Sequence, residues 1–302
     1  MLSYLQAVVI GLLQGLSELF PISSLGHSVL VPAWLGWNNL VSTQAGGDLV
    51  NHRANFYLAF IVGLHVATAL ALLVYFRRDW VRIIGALFSS IRHRRIEGPD
   101  ARLAWLLVVG TIPTGLTGLI LEHQLRTQFA KPLSAAVFLT VNGLILIGAE
   151  RLRQRAPVRA LAAREPAAED SPEPGRRLDT LDFKEAGVIG IFQTGALLAG
   201  ISRSGITMAA GLLRGLDHED AARFSFLLAT PIILAAGVYK IPDLLGTAGN
   251  GIHGQIAAGS AAAFVAALVS VHFLVRYFKT RTLWPFAVYC LGAGVVSIIR
   301  FA

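Results

Sequence analysis

The chain has 302 residues, 26 Lys+Arg against 18 Asp+Glu and a net charge of +8; 54% of residues are hydrophobic, 15% are charged, and the mean hydropathy is +0.61. A soluble domain carries about 25% charged residues, which excludes an ordinary water-soluble globule, and so much apolar surface excludes a disordered chain. The single cysteine, Cys290, excludes an intrachain disulfide framework and a cysteine-based zinc site.

At the N-terminus, residues 1–13 lack the basic stretch that opens a secretory signal. Residues 1–36 are apolar but broken at GLSELFPISSLGH, 15–27. Stretches able to cross a bilayer, which needs roughly 17–25 mostly apolar residues, follow at 56–76, 103–121 and 133–149. A Pro/Ala/Glu-rich linker occupies 151–182, and a second broken apolar stretch, 186–216, passes through GALLAGISRSG at 195–205. Three more crossing stretches close the chain at 224–242, 256–275 and 283–299, with Lys240 near enough to an end to snorkel. The chain reads as an all-α polytopic membrane protein.

Arginine placement orients it. Residues 77–102 and 151–182 each hold seven arginines, and a third basic loop contains Arg276, Lys279 and Arg281; between them, 122–132 has only Arg126 and Lys131, and 243–255 has no Lys or Arg. This alternation matches six crossings with the rich loops cytoplasmic. It places both termini on the non-cytoplasmic side, and it accounts for the basic charge without nucleic acid. The two broken stretches must then enter and return on one side, as re-entrant hairpins from opposite faces. Such backbone is tolerated only where it is buried in protein or lines a wet cavity.

Set Gln14 against Gln193 and the two stretches align without gaps: Gly11 meets Gly190, Ser23 meets Ser202, Ser24 meets Arg203 and Gly26 meets Gly205. Six transmembrane helices plus two re-entrant helical hairpins in an inverted-topology repeat is the expected architecture. The first repeat is 1–150, the cytoplasmic linker 151–182 and the second repeat 183–302. Folds of this kind place their site where the broken helices meet.

The hairpin tips carry the chemistry. Gln14 and Glu18 share one helix face, and Ser23 and Ser24 precede Gly26 and His27 beyond Pro21. In the second tip Ser202, Arg203, Ser204 and Gly205 open an apolar helical stretch. Backbone N–H groups at a helix start, hydroxyls and a guanidinium suit phosphate. An added carboxylate and imidazole suit phosphoryl transfer. An ionisable residue inside a membrane domain is functional by default, which selects Glu18, and His27 is selected by its neighbours. Ser23 and Ser24 also read as helix caps. His65 and His272, alone on apolar faces, are expected to be core groups. Asp217, His218, Glu219 and Asp220 read as an N-cap with acids in the first turn. Glu122 and His123 receive no role.

QGLSELFPISSLGH and GISRSG resemble the two signature motifs of the undecaprenyl-diphosphate phosphatases, bacterial membrane proteins linked to bacitracin resistance, and the likeness in pattern and length extends along nearly the whole chain. The family's first motif runs roughly Glu/Gln-Gly-x-Thr/Ser-Glu-Phe-Leu-Pro-Ile-Ser-Ser-Thr-Gly-His and its second Pro-Gly-x-Ser-Arg-Ser-Gly. The resemblance implies that Glu18 and His27 are catalytic, that Arg203 grips the diphosphate, and that Ser24 stands at the proposed nucleophile. It implies phosphate ligands at Ser23, Ser202, Ser204 and Gly205, with Gln14 at the first acidic-or-amide position. It also implies a divalent cation, magnesium or calcium, for which Glu18 is the best candidate ligand. Leu25, Ala199 and Gln14 depart from the usual Thr, Pro and Glu.

The implied activity is hydrolysis of undecaprenyl or another polyprenyl diphosphate to the monophosphate and inorganic phosphate, recycling a cell-wall lipid carrier, in the bacterial inner membrane with the site facing outward. Ser24, His27 and a water activated by Glu18 all stay open as the nucleophile, as does a homodimer. The alternative is a transporter or flippase of a phosphorylated lipid or phosphate, which the same inverted repeat would serve.

Overall fold

A computed structural model describes residues 2–37, 40, 55–129, 131–155, 176–245 and 251–302. The linker residues 156–175, most of the 37–55 loop and residues 246–250 lie outside it, and with them Arg159 and Arg164 of the basic count. Among the described residues there are eleven α-helices and, in place of a sheet, a single bridge between Arg176 and Leu216.

In chain order the helices are α1 (Tyr4–Ser17), α2 (Ser24–Trp34), α3 (Asn55–Tyr75), α4 (Arg77–His93), α5 (Gly98–Phe129), α6 (Pro132–Arg155), α7 (Phe183–Gln193), α8 (Arg203–Leu213), α9 (His218–Leu245), α10 (His253–Tyr277) and α11 (Trp284–Phe301). Five are long and apolar enough to cross a membrane, within Gly98–Leu121, Pro132–Gln154, His218–Lys240, His253–Tyr277 and Trp284–Phe301. The sixth expected crossing corresponds to α3, whose Phe60–Tyr75 part meets α4 at a bend of 87°.

That bend corrects the reading of 77–102 as a loop. Arg77–His93 is helical because Val81, Ile84, Phe88 and Ile91 recur at three- and four-residue spacing between the arginines. A run counted for its charge also carried a helical period.

Both broken stretches form two short helices around a non-helical tip, α1–α2 and α7–α8. With 14 residues, α1 is about 21 Å long at ~1.5 Å per residue, too short to cross alone. Each first arm packs against a full-length helix of the other half. A Cβ on Gly11 would lie 2.2 Å from the Gly259 carbonyl oxygen in α10, and one on Gly190 would lie 2.4 Å from the Gly110 carbonyl oxygen in α5. Only hydrogen at these positions lets the backbones approach so closely. The tips also meet each other: a Cβ on Gly26 would come within 3.0 Å of Gly200 Cα, and Gly200 itself has φ +114°.

A single side chain ties both tips to the bundle. Asn142 of α6, fully buried, donates from Nδ2 to the Pro21 carbonyl at 3.0 Å and accepts the Ser202 N–H at Oδ1 at 2.9 Å. Ser204 Oγ donates to the Phe20 carbonyl at 3.2 Å. Three of the backbone groups released by the helix breaks, the Phe20 and Pro21 carbonyls and the Ser202 N–H, are thus paired by side chains of the protein.

The acidic run at the start of α9 caps as expected: the Asp220 N–H donates to Asp217 Oδ1 at 2.7 Å. His218 is buried against Glu150 Oε1 at 2.8 Å, and the same oxygen accepts the Leu283 N–H at 2.6 Å, joining α9 and α6 to the start of α11. His272 lies edge-on to Tyr75 with ring centroids 6.3 Å apart, a packing contact.

Replacing Asn142 with Leu would leave the Pro21 carbonyl and the Ser202 N–H buried without their partner, at about 1–3 kcal/mol for each. The Asn142→Leu protein is expected to unfold at a clearly lower temperature in detergent than wild type. An unchanged midpoint would contradict the assigned role.

Candidate active site at the two tips

Glu18 ends α1 and is buried, 5% exposed. Its Oε1 accepts from Arg203 Nη2 at 2.6 Å, across the two halves of the chain. Its Oε2 accepts the Ser24 hydroxyl and, at 2.9 Å, Gln14 Nε2. The helical spacing of Gln14 and Glu18 puts the amide one turn behind the carboxylate. Ser24 and Arg203 are the first residues of α2 and α8, so the positive ends of two helix dipoles converge on the carboxylate.

Both helix starts are built alike. Ser23 Oγ accepts the Gly26 N–H at 3.2 Å, and Ser202 Oγ accepts the Gly205 N–H at 3.1 Å while lying 3.0 Å from Ser204 Oγ. The capping reading of Ser23 therefore holds, and Ser202 caps in the same way. Ser23 adopts φ 71°, ψ 100°, an unfavourable conformation for a residue with a side chain, immediately before Ser24.

Two atoms at this site are buried without a partner among the described residues: Arg203 Nη1, a cationic donor, and Gln14 Oε1, an acceptor. Buried polar groups rarely stay unpaired. A guanidinium with one amino group on Glu18 and the other free keeps donor capacity for an anionic ligand.

His27 is not brought to Glu18. Its Nδ1 lies 2.7 Å from the Ser23 carbonyl and its Nε2 lies 2.8 Å from the Tyr289 hydroxyl, with the two rings stacked at 5.7 Å. The carbonyl can only accept, so Nδ1 carries the hydrogen and Nε2 accepts from Tyr289. The imidazole beside Glu18 is instead His65 of α3, with Nε2 3.4 Å from Oε2 and Nδ1 2.9 Å from the Ile61 carbonyl. Sequence reading placed His65 in the core because a lone histidine in an apolar helix gives no local sign of its partner. Tyr289 and Asn142 were likewise missed, although an uncharged amide within a crossing helix calls for a partner on another helix.

Against this geometry, the family profile described as "Bacitracin resistance protein BacA" matches residues 7–296. The chain belongs to that family. It is similar to "Undecaprenyl-diphosphatase 2" of Frankia alni, 56% identical over 341 residues with 100% of this chain and 98% of the relative covered. It is similar to "Undecaprenyl-diphosphatase" of Mycolicibacterium paratuberculosis, 59% identical over 310 residues with 100% and 98% covered. A third relative, "Undecaprenyl-diphosphatase 2" of Chromobacterium violaceum, is 44% identical over 300 residues with 98% of each chain covered. Family membership and five apolar spans together make the chain a multi-pass membrane protein.

The free Arg203 Nη1 predicts that inorganic diphosphate binds and stabilises the folded protein in detergent by mass action. That shift in unfolding temperature is expected to vanish in Arg203→Gln. An equal shift in both proteins would place anion binding elsewhere.

Proposed function

We propose that the chain hydrolyses undecaprenyl diphosphate to undecaprenyl phosphate and inorganic phosphate at the two tips, recycling the lipid carrier of cell-wall synthesis. The observation that carries this reading is the Glu18 carboxylate, bound at once to the Ser24 hydroxyl and to Arg203. Binding an anion does not call for a carboxylate bonded to a serine hydroxyl, whereas hydrolysis through that serine uses one to accept its proton.

The geometry favours Ser24 as nucleophile. Its oxygen attacks the terminal phosphorus as its proton passes to Glu18 Oε2. The bond from that phosphorus to the bridging oxygen breaks, and undecaprenyl phosphate leaves. Water then attacks the phosphoserine, the bond from phosphorus to Ser24 Oγ breaks as that oxygen takes back the proton held on Glu18, and the water's oxygen and protons leave with inorganic phosphate. Arg203, through Nη1, neutralises the transferring phosphoryl group. The serines of the second tip and the start of α8 hold the remaining oxygens. His27 acts from outside this contact, held by Ser23 and Tyr289.

The donor set suits a divalent cation only when substrate supplies most of its shell. Among the described residues no group of three or more His, Cys, Asp and Glu is placed to hold a metal. Magnesium commonly binds through one or two protein oxygens plus substrate phosphates. Glu18 and the unpartnered Gln14 Oε1 would hold it with the diphosphate. Such an ion, when bound, would supply charge neutralisation on the diphosphate.

The same reading takes the fold as an inverted repeat, 1–150 against 183–302. The reciprocal packing of Gly11 on Gly259 and of Gly190 on Gly110 supports it, since Gly11 and Gly190 are aligned positions and each meets a glycine carbonyl of the other half. The arginine distribution supports a first hairpin and a site that open to the non-cytoplasmic side.

Two experiments test the chemistry. With substrate labelled in its terminal phosphate, acid-quenched wild type is expected to retain label on serine, and Ser24→Ala to retain none and lose activity by several orders of magnitude. An active Ser24→Ala protein would overturn the serine route. His65→Leu is expected to lower kcat roughly ten- to a hundredfold with KM little changed, since a hydrogen bond to a charged group is worth about 1.5–3 kcal/mol. His65→Gln, which keeps an N–H donor, is expected to recover most of that loss. Equal loss in both would make His65 a packing residue.

A further inference from the structure

The helix that sequence reading took for a loop, α4, carries a surface of its own. The preceding α3 has 21 residues, about 31 Å at ~1.5 Å per residue, which already matches a hydrocarbon core of about 30 Å. Turned by 87° from α3, α4 runs close to the membrane plane where that crossing ends. It holds Arg77, Arg78, Asp79, Arg82 and Arg92 within 17 residues, too much charge for the hydrocarbon interior.

Its sides differ. Ile83 and Ser90 are buried, and the Trp105 indole N–H donates to Ser90 Oγ at 2.9 Å, fixing that side to α5. Asp79 accepts from Arg223 of α9 at 2.8 Å, a second anchor. Next to the anchored side runs an uncovered apolar stripe, Val81, Ile84, Phe88 and Ile91, with Val81 74% and Phe88 69% exposed. Arg82 is paired with Asp79 at 2.6 Å, whereas Arg78, Arg92 and Arg94 form no ion pair among the described residues.

An apolar stripe flanked by unpaired arginines, on a helix anchored parallel to the membrane, has the charge and shape of an interfacial helix for an anionic lipid surface. We infer that α4 is an anionic-lipid-binding element: Val81, Ile84, Phe88 and Ile91 sit among the acyl chains at the interface, and Arg78, Arg92 and Arg94 bind phosphate headgroups of the arginine-rich side's leaflet. Its occupant is the host bilayer. The charge complementarity selects acidic phospholipid over zwitterionic lipid.

The test places single spin-labelled cysteines at Val81 and Phe88 on the stripe and at Ser89 and His93 on the polar side. Cys290 is buried and stays in place, with unsubstituted protein as the labelling control. In vesicles of phosphatidylcholine with phosphatidylglycerol, labels at 81 and 88 are expected to favour oxygen over a water-soluble nickel reagent severalfold more than those at 89 and 93. Omitting phosphatidylglycerol, or converting Arg78, Arg92 and Arg94 to Gln, is expected to shrink that contrast. Equal nickel access on both sides would overturn the inference. So would spin–spin broadening at 81 and 88, which would make the stripe a contact between copies of the chain, or a contrast indifferent to both lipid charge and the arginines.

Discussion

Backbone that leaves a helix inside an apolar bundle has no water to turn to, and every carbonyl or N–H it releases must find a partner within the protein. Two such breaks lie against each other here, and Asn142 answers both, donating to the Pro21 carbonyl and accepting the Ser202 N–H. With Ser204 on the Phe20 carbonyl and Gly26 against Gly200, the tips become one rigid junction. The positions of α2 and α8, and of Ser24 and Arg203 at their starts, depend on that junction.

The junction makes a buried carboxylate useful. Glu18 would be costly alone in this setting, and Arg203 compensates it from the other half of the chain. Arg203 uses one amino group for this and keeps the other unpaired. The pair therefore fixes the carboxylate against Ser24 and, in the proposed hydrolysis, leaves a cationic donor for a phosphoryl oxygen. Electrostatic groups arranged before substrate arrives need no reorganisation during the reaction.

Much of this was legible in the sequence because local rules governed it. Gln14 and Glu18 share a face by helical spacing, and the serine caps announce two helix starts. The apolar stretches give the crossings. What escaped was set by tertiary contact. His27 stands one turn beyond Ser24, which suggested a shared site, yet its ring is drawn to Tyr289 on α11. The imidazole at Glu18 comes from α3, where nothing near His65 announces an acidic partner. Asn142 looked like one polar residue in a crossing helix, and only the fold shows that both tips hang on it. The helix α4 was readable by its period and was masked by its charge.

In the proposed hydrolysis Glu18 and Arg203, from opposite halves, work as a unit. A double-mutant cycle reads this directly, with kcat/KM for phosphate release measured for Glu18→Gln, Arg203→Gln and the double variant. The double variant is expected to lose little more than the worse single one. Losses that multiply, each variant costing as much in the presence of the other as in its absence, would show two independent groups and contradict a single site shared by the two tips.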